Sequence, residues 1–128
     1  MAAKRTENFE KGVALRRELG GDKLVDEAFK DPDDFGYPME ELVTEVAWGA
    51  IWSRPGLDRR SRSILNIGML AALNRPDQLA GHIRIALKNG VTKVEIQECL
   101  LQVAGYAGMP AGLTSFKVAK QVFADLKL

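Results

Sequence analysis

Apolar residues recur along this chain at intervals of three and four, and no stretch alternates with period two, so the pattern predicts helices throughout. A first helix is predicted over about residues 5 to 19, ending at Gly20-Gly21, with a short second one in "DKLVDEAFK". The turn-rich "DPDDFGYP" interrupts the pattern, and the first few residues, about 1 to 5, are expected to be mobile. Leu42, Val43, Val46, Ala47 and Ile51 then mark one face of a third helix, with Trp48 and Trp52 together on its flank.

After "SRPGL", Asp58 can cap a helix running to about Leu73. That helix is almost wholly apolar from Ile64 on, which predicts burial on most sides, with Gly68 allowing a close crossing. Pro76 suits a first helical position, and Asn89-Gly90 a helix end. Thr92 and Glu95 have capping-box spacing, with Val91 and Ile96 as its hydrophobic staple. A last helix is predicted from Pro110 through Asp125. The sum is an all-α fold of about seven helices, read as one domain over residues 1–128 with no repeat and no internal boundary.

Composition narrows the partners. The chain has 128 residues, 46% hydrophobic and 27% charged, with a net charge of +1. Such a balance gives no reason to expect nucleic acid or an anionic membrane as partner. A domain of this length buries roughly two-thirds of its unfolded surface. Its longest apolar run, "ILNIGMLAAL", is about half a membrane span. The opening residues lack the apolar segment of a secretion signal, and a cytoplasmic location is expected. The single cysteine, Cys99, allows neither an intramolecular disulfide nor a cysteine-rich metal site, and it reads as a small hydrophobe on a helix face.

The chemistry concentrates near one residue. His82 is the sole histidine of the chain. On a helical wheel Leu79, Ile83 and Ala86 face the core, and His82 lies one ridge aside, in line with Gln78 and, at the helix entrance, Arg75. A boundary histidine, hydrogen-bonded and inert, is one reading; a general acid or base at the edge of a cleft is the other. On the following helix Ile96, Leu100, Val103 and Ala107 should pack inward, while Glu95, Cys99, Gln102 and Tyr106 form a mostly polar line. Of Arg54, Arg59, Arg60, Arg62, Arg75 and Arg84, most suit weak surface ion pairs. Arg62 and Arg75 are best placed to grip a carboxylate.

The words "AWGAIWSRPGL", "RRSRSILNIGMLAALNR", "GHIRIALKNGVTKVEIQECLLQ" and "GYAGMPA" occur in this order over about residues 40 to 112. In order and spacing they resemble the carboxymuconolactone decarboxylases, part of the larger group that includes the AhpD-type alkylhydroperoxidases. "ENFEKGVALRRELGG" extends the resemblance toward the N-terminus. The peroxidase branch uses a glutamate, a CxxC pair and a histidine four residues beyond it. Laid on this chain, those positions fall on Ser63, on Arg75 and Gln78, and on His82. Only the histidine carries over, so thiol peroxidase chemistry, which needs an attacking and a resolving thiol, is not expected.

The resemblance implies a decarboxylase without a cofactor or metal. It would convert 4-carboxymuconolactone to 3-oxoadipate enol-lactone in aromatic catabolism through protocatechuate. His82 would be the general acid or the donor to a developing oxyanion. Arg62 and Arg75 would hold carboxylates, beside Gln78, with Trp48, Trp52 and Tyr106 as walls. The resemblance also implies a homo-oligomer, trimeric or hexameric. A paralogue acting on another small carboxylate or lactone, and a non-catalytic helical oligomer, are the competing readings.

Overall fold

A computed structural model of the chain describes residues 6–30 and 35–128. The expected mobile start, residues 1–5, and the "DPDD" part of the predicted turn lie outside the described residues. Among these residues every regular element is helical: seven α-helices and one π-helix. The chain groups into two compact units, one up to Leu57 and one from Asp58 to Leu128.

In the first unit, α1 (Glu7–Gly20) is capped by Thr6, whose hydroxyl accepts from the Phe9 amide at 3.0 Å. It stops at Gly21, whose φ of 94° suits glycine. Helix α2 (Asp22–Ala28) follows directly, and α3 (Tyr37–Leu42) runs into a π-helix, Val43–Trp52. Phe9, Leu15, Leu19 and Val25 are buried, and Phe29 meets the rings of Phe9 and Tyr37 edge-on at 5.8 and 5.7 Å. Arg16 donates to Glu40 at 2.7 Å and to the buried Thr44 hydroxyl at 3.1 Å, tying α1 to α3 and to the π-helix.

The apolar face read for the third helix does not turn inward. Leu42, Val46 and Ile51 are exposed, while Thr44, Trp48, Gly49 and Trp52 are buried. The cause is a close approach of two backbones. A Cβ on Gly12 would overlap the Thr44 carbonyl, and one on Gly49 would overlap the Asn8 carbonyl. Only a glycine-bearing face can lie this close to α1, and it turns the branched apolar residues outward. The i→i+5 winding keeps Thr44, Gly49 and the tryptophans on that one face, a register the 3.6-residue period does not anticipate.

The second unit holds α4 (Arg59–Ala72), α5 (Pro76–Lys88), α6 (Lys93–Ala107) and α7 (Met109–Asp125). Helix α4 packs on α5 and α6, and α7 packs on both α5 and α6. The core combines Ile67 and Ala71 with Leu79, Ile83 and Ala86, with Ile96, Leu100 and Val103, and with Ala119 and Val122. The predicted stripes of α5 and α6 are therefore confirmed, apart from Ala107, which is exposed where α6 ends at Gly108.

Local signals in this unit hold. Asp58 accepts from the Ser61 amide at 2.7 Å, and this hydrogen bond keeps the Asp58 carboxyl below its ordinary pKa. The Thr92 hydroxyl accepts from the Glu95 amide at 3.1 Å while Glu95 accepts from the Thr92 amide at 3.0 Å. Val91 and Ile96 are buried on either side of that box.

Two expectations for α4 fail. It buries a single stripe, Ser63, Ile67 and Ala71, and leaves Leu65, Met69 and Leu73 exposed, because within one chain it packs with one side only. Nothing approaches Gly68; the close crossing is at Gly112 of α7, where a Cβ would press on Ala104 of α6. No helix among the described residues is long and apolar enough to cross a membrane.

Candidate active site

The predicted chemistry falls on the seam between α4 and α5. Two cross-links fix its register: Asn89 donates to the Ser63 hydroxyl at 2.9 Å, and the Asn66 amide nitrogen lies 3.4 Å from His82 Nδ1. Their order, rising on α4 as it falls on α5, makes the helices antiparallel. Between the helices α4 is capped by its own turn, where Asn74 has a φ of 57° and the Arg75 amide donates to the Leu70 carbonyl at 2.9 Å. Ser63, where the resemblance aligns the peroxidase glutamate, is fully buried and hydrogen-bonded.

His82 is half-buried, and desolvation lowers its pKa below the ordinary 6.5. The imidazole is therefore mostly neutral at neutral pH, with one nitrogen protonated. A neutral ring of this kind can donate one hydrogen bond and accept another.

The other predicted residues differ in placement. Gln78 is exposed, one turn before His82 on the same ridge. Arg75 is exposed at the entrance of α5, where its guanidinium donates to the Leu73 carbonyl at 3.3 Å. Arg62 is half-buried, one turn before Asn66 on the α4 ridge that meets His82. Tyr106 is 88% exposed in the last turn of α6, on neither helix of the seam. Trp48 and Trp52 belong to the first unit, where their rings stack at 5.0 Å. Arg60 pairs with Glu95 and Arg84 with Asp125, both at the surface.

Asn66, Ser63 and Asn89 are absent from the sequence-based set of site residues. The signal was present: Ser63 and Asn66 stand three apart at the start of the apolar stretch "SILNIGMLAAL", on the side that faces α5. Cys99 is half-buried, and burial pushes its thiol pKa up despite the nearby Arg60. It is a protonated thiol at neutral pH, not a nucleophile. Among the described residues no three His, Cys, Asp or Glu side chains gather as a metal site requires. A cavity of about 500 Å³ between α6 and α7, walled by Ile96, Leu100, Phe116 and Phe123 with Lys93 and Lys120, takes in none of the predicted site residues.

Sequence comparison covers both helices of the seam. The chain is 39% identical over 120 residues to the 4-carboxymuconolactone decarboxylase of Acinetobacter baylyi, an alignment spanning 94% of this chain and 90% of that one. It is 37% identical over 118 residues to a nitrosuccinic acid decarboxylase of Metarhizium robertsii, covering 92% and 82% of the two chains. An uncharacterized 15.0 kDa protein of Paracoccus denitrificans is 37% identical over 97 residues, covering 68% of this chain and 72% of that one. The profile of the Carboxymuconolactone decarboxylase family matches residues 38–121, from α3 into α7. With its helical fold, its lone histidine on the α4–α5 seam and one cysteine where a redox pair would need two, the chain belongs to the carboxymuconolactone decarboxylase family.

Proposed function

We propose that this chain decarboxylates 4-carboxymuconolactone to 3-oxoadipate enol-lactone without a cofactor, as a step in aromatic catabolism. The two relatives named for an activity are both decarboxylases, and the chain is a carboxy-lyase. What supports the substrate is the 39% identity across 94% of the chain. What supports the mechanism is one observation: a half-buried imidazole on the seam, whose pKa burial lowers.

The substrate accounts for the rest. Loss of CO₂ from the γ-carbon leaves an electron pair that delocalises through the ring alkene to the lactone carbonyl. The protein must hold two carboxylates, stabilise charge on the carbonyl oxygen and let a proton from water reach the α-carbon. A neutral N–H donor suits the oxyanion, because it adds no proton that must first be captured from water at neutral pH. Of the two roles open to His82, its lowered pKa favours this one over that of a standing imidazolium acid. Arg62 and Arg75 hold the carboxylates, with Gln78 beside them. Charge-assisted hydrogen bonds contribute about 1.5–3 kcal/mol each. Alanine at Arg62 or Arg75 is expected to raise KM by roughly tenfold to a hundredfold in a direct ultraviolet assay on the lactone. Turnover and KM near wild type in both variants, together with His82→Ala, would end this mechanism.

A second reading has its own support in the nitrosuccinic acid relative at 37% identity. Nitrosuccinate is likewise a dicarboxylate whose own substituent can accept the electrons that CO₂ leaves behind. The same assay run on both acids separates the readings by the larger kcat/KM.

Another copy of the chain covers the apolar stripe of α4, where Leu65 is 53% and Leu73 62% exposed. Light scattering is expected to give a trimer or hexamer. A species of single-chain mass would contradict this.

A further inference from the structure

We propose that Asn66 is the positioning residue of His82: its side-chain amide donates to Nδ1 and so places the ring proton on Nε2. This rests on the reading of His82 as the hydrogen-bond donor of the site.

The geometry carries the assignment. The Asn66 amide nitrogen stands 3.4 Å from Nδ1, and an –NH₂ group can only donate. A ring nitrogen that accepts bears no proton, so in the neutral imidazole the proton is on Nε2. The contact lies between a second cross-link and the turn that joins the helices. Ser63–Asn89 lies on one side, at 2.9 Å, and on the other the short capped turn through Asn74 limits how far the helices can slide. Sliding α4 by one residue would break both cross-links, so the amide is held against the ring rather than meeting it by chance.

An apolar residue would serve packing better at this position. Asn66 sits beside Ile67, a fully buried member of the core, and a half-buried amide is costly unless its hydrogen bonds are made. A carboxylate in its place would accept from the ring, draw the proton to Nδ1 and favour the imidazolium. An amide does neither; it orients the ring while leaving it neutral, which is the state that burial also favours.

The experiment uses the single histidine, which makes its ring signals unambiguous. Long-range nitrogen–proton correlation spectra of the ¹⁵N-labelled full chain, at mildly alkaline pH, are expected to show Nδ1 bare and Nε2 protonated. Asn66→Asp should reverse that pattern, and Asn66→Ala should lower the share of ring protonated on Nε2. A proton on Nδ1 in the wild type, or a pattern indifferent to both substitutions, overturns the assignment. The wild-type spectrum decides even if a variant fails to fold. In the lactone assay Asn66→Asp should lower kcat by at least about tenfold with KM within about twofold, since a wrong tautomer in a serine-protease triad costs ~10⁴. Should the spectra behave as described while the lactone is not turned over, Asn66 keeps its role and the substrate assignment falls.

Discussion

Replacing His82 with alanine is expected to lower kcat for 4-carboxymuconolactone by roughly 10²–10⁴-fold, the range for removing a positioned proton donor or an oxyanion partner. Helical content should not change, because the ring is half-buried at the margin of the core rather than within it. The pH profile of the wild type tests the role directly. Burial lowers the pKa of His82, so the neutral ring forms below the ordinary value of 6.5. If the neutral ring is the working form, kcat rises with pH through that lowered pKa and is level by neutrality. If the imidazolium were the working form, kcat would fall over the same interval.

Stability changes in the same window for the same reason. The unfolded chain binds a proton on His82 more readily than the folded one, so the unfolded state gains protons first as pH drops. This contribution is fully present above the unfolded pKa and is lost as pH falls toward the folded one. Urea midpoints measured from neutral pH downward should decline across this interval in the wild type. The decline should be shallower in His82→Gln, which has no ring to charge.

The sequence alone located His82 at the edge of the α5 core stripe because Leu79, Ile83 and Ala86 keep helical period and all three are buried. The capping box at Thr92 and the Asp58 cap were equally legible, since each is a local arrangement within four residues. Asn66 was not, because its meaning depends on a residue 16 positions away. A polar interruption in an apolar helix says that a partner exists, not which one. The Arg16–Glu40–Thr44 cluster escaped for the same reason, its members lying 24 and 28 residues apart. The burial of α4 was over-read from composition: an apolar helix reports how much surface wants covering, and within one chain only one side is covered. The π-helix is the clearest failure of periodicity, because Leu42, Val46 and Ile51 satisfy an α-helical stripe well and still face outward.

That failure leads to the largest stability effect expected in this chain. Gly→Ala inside a helix ordinarily stabilises by up to about 1 kcal/mol through propensity and unfolded-state entropy. At Gly49 the added methyl would strike the Asn8 carbonyl, and at Gly12 that of Thr44. Both obstacles are backbone, not the tip of a flexible side chain, so the two helices must separate. Overpacking of this kind costs about 1–3 kcal/mol and occasionally more. Moving the helices apart would also loosen the packing around Trp48 and Trp52 on the same buried face. The cost exceeds the gain, and Gly49→Ala or Gly12→Ala should lower the unfolding free energy by roughly 2 kcal/mol net, read as a lower urea midpoint. Gly68→Ala supplies the opposite sign: its methyl would meet nothing within 4 Å, and it should raise stability by about 0.5–1 kcal/mol. Equal, stabilising responses at Gly12, Gly49 and Gly68 would show that no close backbone approach exists in the first unit. The glycine-bearing face would then have no reason to turn inward, and the predicted apolar stripe could reclaim the core.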